Sequence, residues 1–155
     1  MALSLSGDGT LSGVDIAASG LGKVLQIVRA TDATQRNTTS TSFVDASISV
    51  TITPTKSTSA ILLVWSVQIR TDTGNQLVFF QITDSSNNAI NGSEEGRVYD
   101  TNTGSIRIST VLFGYSTPAT TSATTYKGRF KVSSGTGYLD NDLQTGQLYA
   151  IEVAA

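Results

Sequence analysis

Beyond residue 22, short apolar stretches alternate with clusters of Ser, Thr, Asn, Asp and Gly, and almost nowhere does a run sustain the 3.6-residue period of a helix. The pattern predicts an all-β chain. A first strand is expected over residues 23–31 (KVLQIVRAT), followed by a polar link at 32–42. Residues 43–54 (FVDASISVTITP) place Ile48, Val50 and Ile52 on one face and Ser47, Ser49 and Thr51 on the other, as in a strand with one buried and one wet side.

Two strands break that rule. In residues 60–70 (AILLVWSVQIR) Ile61, Leu63, Trp65, Val67 and Ile69 share one face while Leu62 and Val64 hold the other. In residues 77–83 (LVFFQIT) Leu77 and Phe79 oppose Val78, Phe80 and Ile82. A sandwich covers only one face of each sheet, so strands apolar on both faces need a second contact. Self-association satisfies that need most economically, with Leu62, Val64, Val78 and Phe80 as the expected subunit interface; cover by loops or by the N-terminal segment is the alternative. The interval 84–103 is the longest polar one and reads as two loops around a short strand. Strands follow at 105–115, 126–132, 138–139 and 147–153, separated by a polar link at 116–125 and a turn at 133–137. About eight strands in a body of this size fit a jelly-roll β-sandwich.

The first 22 residues carry five glycines and few bulky side chains, too little to bury a core. Such a segment frays unless something ties it down, so it reads as an extended anchoring arm, residues 1–22, ahead of a domain at 23–155. Leu3, Leu5, Leu11, Val14 and Ile16 are its candidate anchoring side chains, and Gly20 and Gly22 its hinge. The roughly 130 residues after the arm are enough to bury about two-thirds of their unfolded surface.

Charge and chemistry narrow the function. Ser and Thr supply 43 of 155 residues, 14% are charged, and the net charge is −2. The ten basic residues are scattered, which argues against nucleic acid as a partner. The densest group, Lys127, Arg129 and Lys131, falls on one strand face and reads as a solvated surface. The chain has neither Cys nor His, so thiolate chemistry and the usual general base at neutral pH are absent. The start lacks the basic segment and unbroken apolar stretch of a secretory signal, and no run approaches the roughly 20 apolar residues of a membrane span, so no membrane contact is expected.

No carboxylate arrangement looks catalytic. Asp140 and Asp142 resemble the start of a calcium loop but lack the glycine and terminal glutamate that complete it, and a turn explains them better. Glu94 and Glu95 are adjacent and so point to opposite sides of a strand. Residues 20–24 (GLGKV) fail the phosphate-loop pattern at Ala17 and Val24. Asn37-Thr38-Thr39 and Asn91-Gly92-Ser93 fit a glycosylation triplet that is common by chance in so Ser- and Thr-rich a chain. No cofactor or metal is expected.

Residues 22–26 (GKVLQ), 41–54 (TSFVDASISVTITP), 57–67 (STSAILLVWSV) and 116–127 (STPATTSATTYK), taken in order and spacing, resemble the jelly-roll domains of tailed-bacteriophage virion proteins, especially small fibre and decoration proteins. The resemblance covers about residues 22–155. It implies a trimer on the surface of a phage particle, attached through its arm to other virion structural proteins such as the major capsid protein, and it implies no enzymatic activity. Within it, a capsid decoration or cement protein is the first expectation. The alternative is a tail-fibre or receptor-binding tip that reads host glycans through residues 84–103 and 138–142.

Overall fold

The computed structural model describes residues 4–5, 11–12, 23–101 and 104–154. Strands β1 (Ser4–Leu5) and β2 (Leu11–Ser12) pair antiparallel, Ser4 with Ser12 and Leu5 with Leu11. The body contains β3 (Val24–Asp32), β4 (Arg36–Thr38), β5 (Val44–Ile52), β6 (Ala60–Thr71), β7 (Leu77–Asp84) and β8 (Gly96–Tyr99). It continues with β9 (Arg107–Ser116), β10 (Thr124–Val132), β11 (Gly137–Leu139) and β12 (Gly146–Val153), and no helix occurs among the described residues.

Two antiparallel sheets face each other. One runs β5-β10-β7-β8; the other runs β3-β12-β6, with β9 on the far edge of β6. The short β4-β11 ladder continues the β3-β12 side, because β11 pairs with β6 at residues 69–71, beyond the stretch that β12 occupies. Numbered by chain order, the eight principal strands run first-eighth-third-sixth in one sheet and second-seventh-fourth-fifth in the other. That nested order makes the sandwich a jelly roll. The polar segment Arg36-Asn37-Thr38 shows no apolar alternation, and its strand forms through the backbone ladder to β11.

The core lies between the sheets. From one side come Ile61, Leu63, Trp65, Val67 and Ile69 of β6 with Leu148 and Ala150 of β12; from the other come Ile48, Val50 and Ile52 of β5, Val78, Phe80 and Ile82 of β7, and Tyr126 and Phe130 of β10. Trp65 meets Phe80 edge to face at 6.1 Å. Gly128 lets β10 pass over the indole, since a Cβ there would sit 2.9 Å from Trp65 ring atoms. Beside it β5 bulges, with Ser47 at φ 58° and its N–H held by the Asp45 carboxylate at 2.8 Å. Val78 and Phe80, expected at a subunit interface, are 0% and 3% exposed within a single chain. They are core residues, because the register of β7 on β10 turns them toward Val132 and Phe130.

Buried carboxylates pin the connections. Asp140, in the turn between β11 and β12, accepts from Arg70 Nε at 2.9 Å and Arg107 Nε at 2.6 Å on Oδ2, and from Gln35 Nε2 at 2.9 Å on Oδ1. Arg70 also lies 3.6 Å from the centroid of the Tyr138 ring. Burial pushes the Asp140 carboxyl upward, and the two guanidinium groups outweigh it and hold the carboxyl below the usual range. Asp32 takes both Arg36 and Asn141. Glu152 of β12 points inward, fully buried, and accepts from Gln26 Nε2 at 2.6 Å and from the Thr55 N–H and hydroxyl at 2.7 and 2.8 Å. Burial opposes its charge, but the donors from Gln26 and Thr55 prevail and bring it to about 2.

Trp65→Ala is expected to cost about 3 to 5 kcal/mol in denaturant unfolding, by transfer and cavity terms together. Glu152 has a folded pKa below its unfolded value near 4.5, so its contribution is complete above that pH and is lost as pH falls toward 2. The melting temperature should therefore drop over that window, and Glu152→Gln should be less stable at pH 7 yet lose less on acidification than the parent.

Candidate interaction face

The two outer faces of the sandwich differ in kind. On the four-stranded sheet, outward positions carry charge that is already matched. Glu95 pairs with Arg97 at 2.6 Å and Lys131 at 3.5 Å, and Lys131 sits 4.5 and 4.7 Å from the centroids of Phe43 and Phe79. Lys127 donates to the Asn87 side-chain oxygen and Arg129 to the Phe43 carbonyl. The basic ladder of Lys127, Arg129 and Lys131 is thus a self-compensated surface rather than an anion site.

The other sheet presents an apolar end. Its register aligns outward side chains in rows across β3, β12, β6 and β9: Ile27, Ile151, Leu62 and Tyr115 form one row, and Arg29, Tyr149, Val64 and Phe113 the next. The third row, Thr31, Gln147, Ser66 and Val111, is mixed, and past it Gln68 and Ser109 lead to the Arg70-Arg107-Asp140 clamp. Ile27, Phe113 and Tyr115 are 60%, 57% and 52% exposed, and Val24 and Val111 are exposed as well. Exposed side chains of this size gathered in adjacent rows are the signature of a contact surface.

β9, at the edge of the sheet, carries half of this. Its pairing to β6 is continuous from Arg107 to Ser116. Near its end the Tyr115 N–H donates to the Asn91 carbonyl, and Gly114 admits Ser93, whose Oγ would lie 2.9 Å from a Cβ there. The loop at 90–93 thereby fixes β9 and holds the Phe113 and Tyr115 rings outward.

Leu62 and Val64, expected from sequence at a subunit interface, lie half-buried on this outer face, in the interior of two of its rows. On β7 the outward residues are Leu77 and Phe79 instead of Val78 and Phe80, and Phe79 is covered by Lys131 and Arg97. Leu5 and Leu11 are register partners in the β1-β2 pair; Leu3, Val14, Ile16, Gly20 and Gly22 lie outside the described residues. Ile27, Arg29, Phe113, Tyr115, Tyr149 and Ile151 had no place in the sequence-based interface. The signal was present in Val111-Leu112-Phe113, apolar on both faces as in β6. Asp140 and Asn141 are 0% and 2% exposed, so these two polar groups of the 138–142 turn point inward, while Asp142 is exposed.

No family model matches the chain, and no curated protein does. Among solved structures it is similar to the VP2 protein of infectious bursal disease virus. A D431N mutant from T=1 particles aligns at 11% identity with a TM-score of 0.47, over 99% of this chain and 42% of that one. The VP2 subviral particle aligns at 12% and 0.42, over 84% and 38%. The chain spans less than half the length of these structures, and its jelly-roll assignment rests on its own strand order.

Glu95→Gln removes the surface ion pairs to Arg97 and Lys131, and should change the unfolding free energy by less than about 1 kcal/mol in a denaturant titration.

Proposed function

We propose that this chain is a non-enzymatic structural protein of a tailed-phage virion, a capsid decoration or cement protein attached to the major capsid protein through residues 1–22. The observation that carries the reading is the allocation of its side chains. The buried carboxylates Asp32, Asp140 and Glu152 are engaged in fixing loops, while the largest set of adjacent exposed apolar groups lies on an open sheet face suited to contact with another protein. The resemblance of residues 22–155 to phage jelly-roll proteins supplies the setting. The arm, with Leu3, Leu5, Leu11, Val14 and Ile16, supplies a segment able to lie across a neighbouring subunit as an added strand.

The glycan-reading alternative is less supported at 138–142, where Asp140 and Asn141 are buried and bonded to Arg70, Arg107, Gln35 and Asp32 and only Asp142 of the three is exposed. Immunogold labelling of purified phage particles, with antibody raised against the full chain, tests the proposal. Label distributed over the head is the expected result. Label confined to the tail tip would favour the fibre reading, and particles without label would overturn a virion role.

A further inference from the structure

The apolar end of the β3-β12-β6-β9 face has a property beyond its hydrophobicity: its rows complement themselves when reversed. We propose that a second copy of this chain occupies this face, sheet on sheet, about a two-fold axis running parallel to the strands midway between β12 and β6. The inference concerns the body alone and holds whatever particle the protein serves.

An axis so placed maps each row onto itself in reverse order. Ile27 then meets Tyr115 of the second copy, Ile151 meets Leu62, Tyr149 meets Val64, and Arg29 meets Phe113, each contact occurring twice as an isologous interface requires. The Tyr115 and Tyr149 rings fall opposite the aliphatic Ile27 and Val64, which lets the two surfaces interdigitate at the spacing of about 10 Å between packed sheets. The third row brings Gln147 over Ser66, a pair able to hydrogen-bond, and Thr31 over Val111.

Charge complementarity points the same way. The only ionised side chain in the two apolar rows is Arg29, exposed at the β3 edge, with its guanidinium 5.9 Å from the Tyr149 ring centroid. The reversed row places the face of Phe113 across from it, so each cation gains an aromatic partner and the two cations stay at opposite edges. Area sets the strength. The four strands lie side by side over three rows, Leu62 to Ser66, and at about 4.8 Å between strands and about 6.7 Å between rows they outline roughly 300 to 400 Å² in plan, below the roughly 800 Å² that each partner contributes to a standard interface, so the pairing is of the weak class. The trimer implied by the resemblance is a ring of heterologous contacts and needs two different patches per copy, whereas these rows form one self-matching patch.

Sedimentation equilibrium of the full chain at tens of micromolar should give a dimer of about 32 kDa, twice the chain's 16.2 kDa. Phe113→Ser, at a residue exposed in the single chain, should weaken dimerisation at least tenfold with the β circular-dichroism signal kept. Arg29→Glu should do the same, and the double variant Arg29→Glu, Phe113→Lys should restore pairing. Within one chain these positions are about 14 Å apart, three strand spacings, so rescue reports a contact between copies. A monomer, a trimer, or a dimer indifferent to both single substitutions would overturn the proposal. A monomer would also be the result if residues 1–22 or a different protein covered the face.

Discussion

The fold depends on one strand that is apolar on both sides. β6 pairs with β12 and β11 along one edge and with β9 along the other, and it is the centre of its sheet. Its inward residues, Ile61 to Ile69 in alternate positions around Trp65, close the sandwich against Phe80 and Tyr126. The same two-residue period that buries them sends Leu62 and Val64 the other way. No side-chain choice on β6 relieves one face without leaving the other, so its neighbours decide the outcome. β9 and β12 extend the outward apolar rows with Phe113, Tyr115, Tyr149 and Ile151 instead of ending them with charge.

Electrostatics divides that face. At the far end of β6 the rows turn polar, and Arg70 and Arg107 converge on Asp140, which lies fully buried in the β11-β12 turn. A carboxylate without water is tolerable only when donors fill its lone pairs, and here two guanidinium groups and the Gln35 amide do so. The clamp ties the turn to β6 and β9 and makes that end hydrophilic. Glu152 does the equivalent work at the opposite end with neutral donors, joining β12 to β3 through Gln26 and to the β5-β6 connection through Thr55. Polar anchoring at both ends leaves the apolar rows between them as the open surface.

Much of this was legible in the sequence. Alternation located the long strands within two residues at each end, and the double apolarity of β6 marked Leu62 and Val64 correctly as facing away from the core. β7 shows the limit. Alternation says which residues share a face, not which face turns inward, and Val78 with Phe80 went into the core once pairing with β10 set the direction. The outward Phe79 found cover in the cations of Lys131 and Arg97, which come from other strands. β12 misleads in the same manner: its inward positions hold Leu148, Ala150 and Glu152, and its outward positions hold the larger Tyr149 and Ile151. β4 carried no signal at all, since its strand comes from backbone pairing to β11.

The most direct measurement of the central claim, that the outer face of β6 and its neighbours meets its own copy, uses the absence of native cysteine. Ile27→Cys and Tyr115→Cys placed in one chain are separated by about three strand spacings, roughly 14 Å, whereas in the two-fold pair each lies opposite the other across sheets about 10 Å apart, within reach of a short bis-maleimide though not of a direct disulfide. With that cross-linker the account predicts a covalent dimer on a denaturing gel, formed faster than by either single variant. A chain that stays monomeric under those conditions would contradict it.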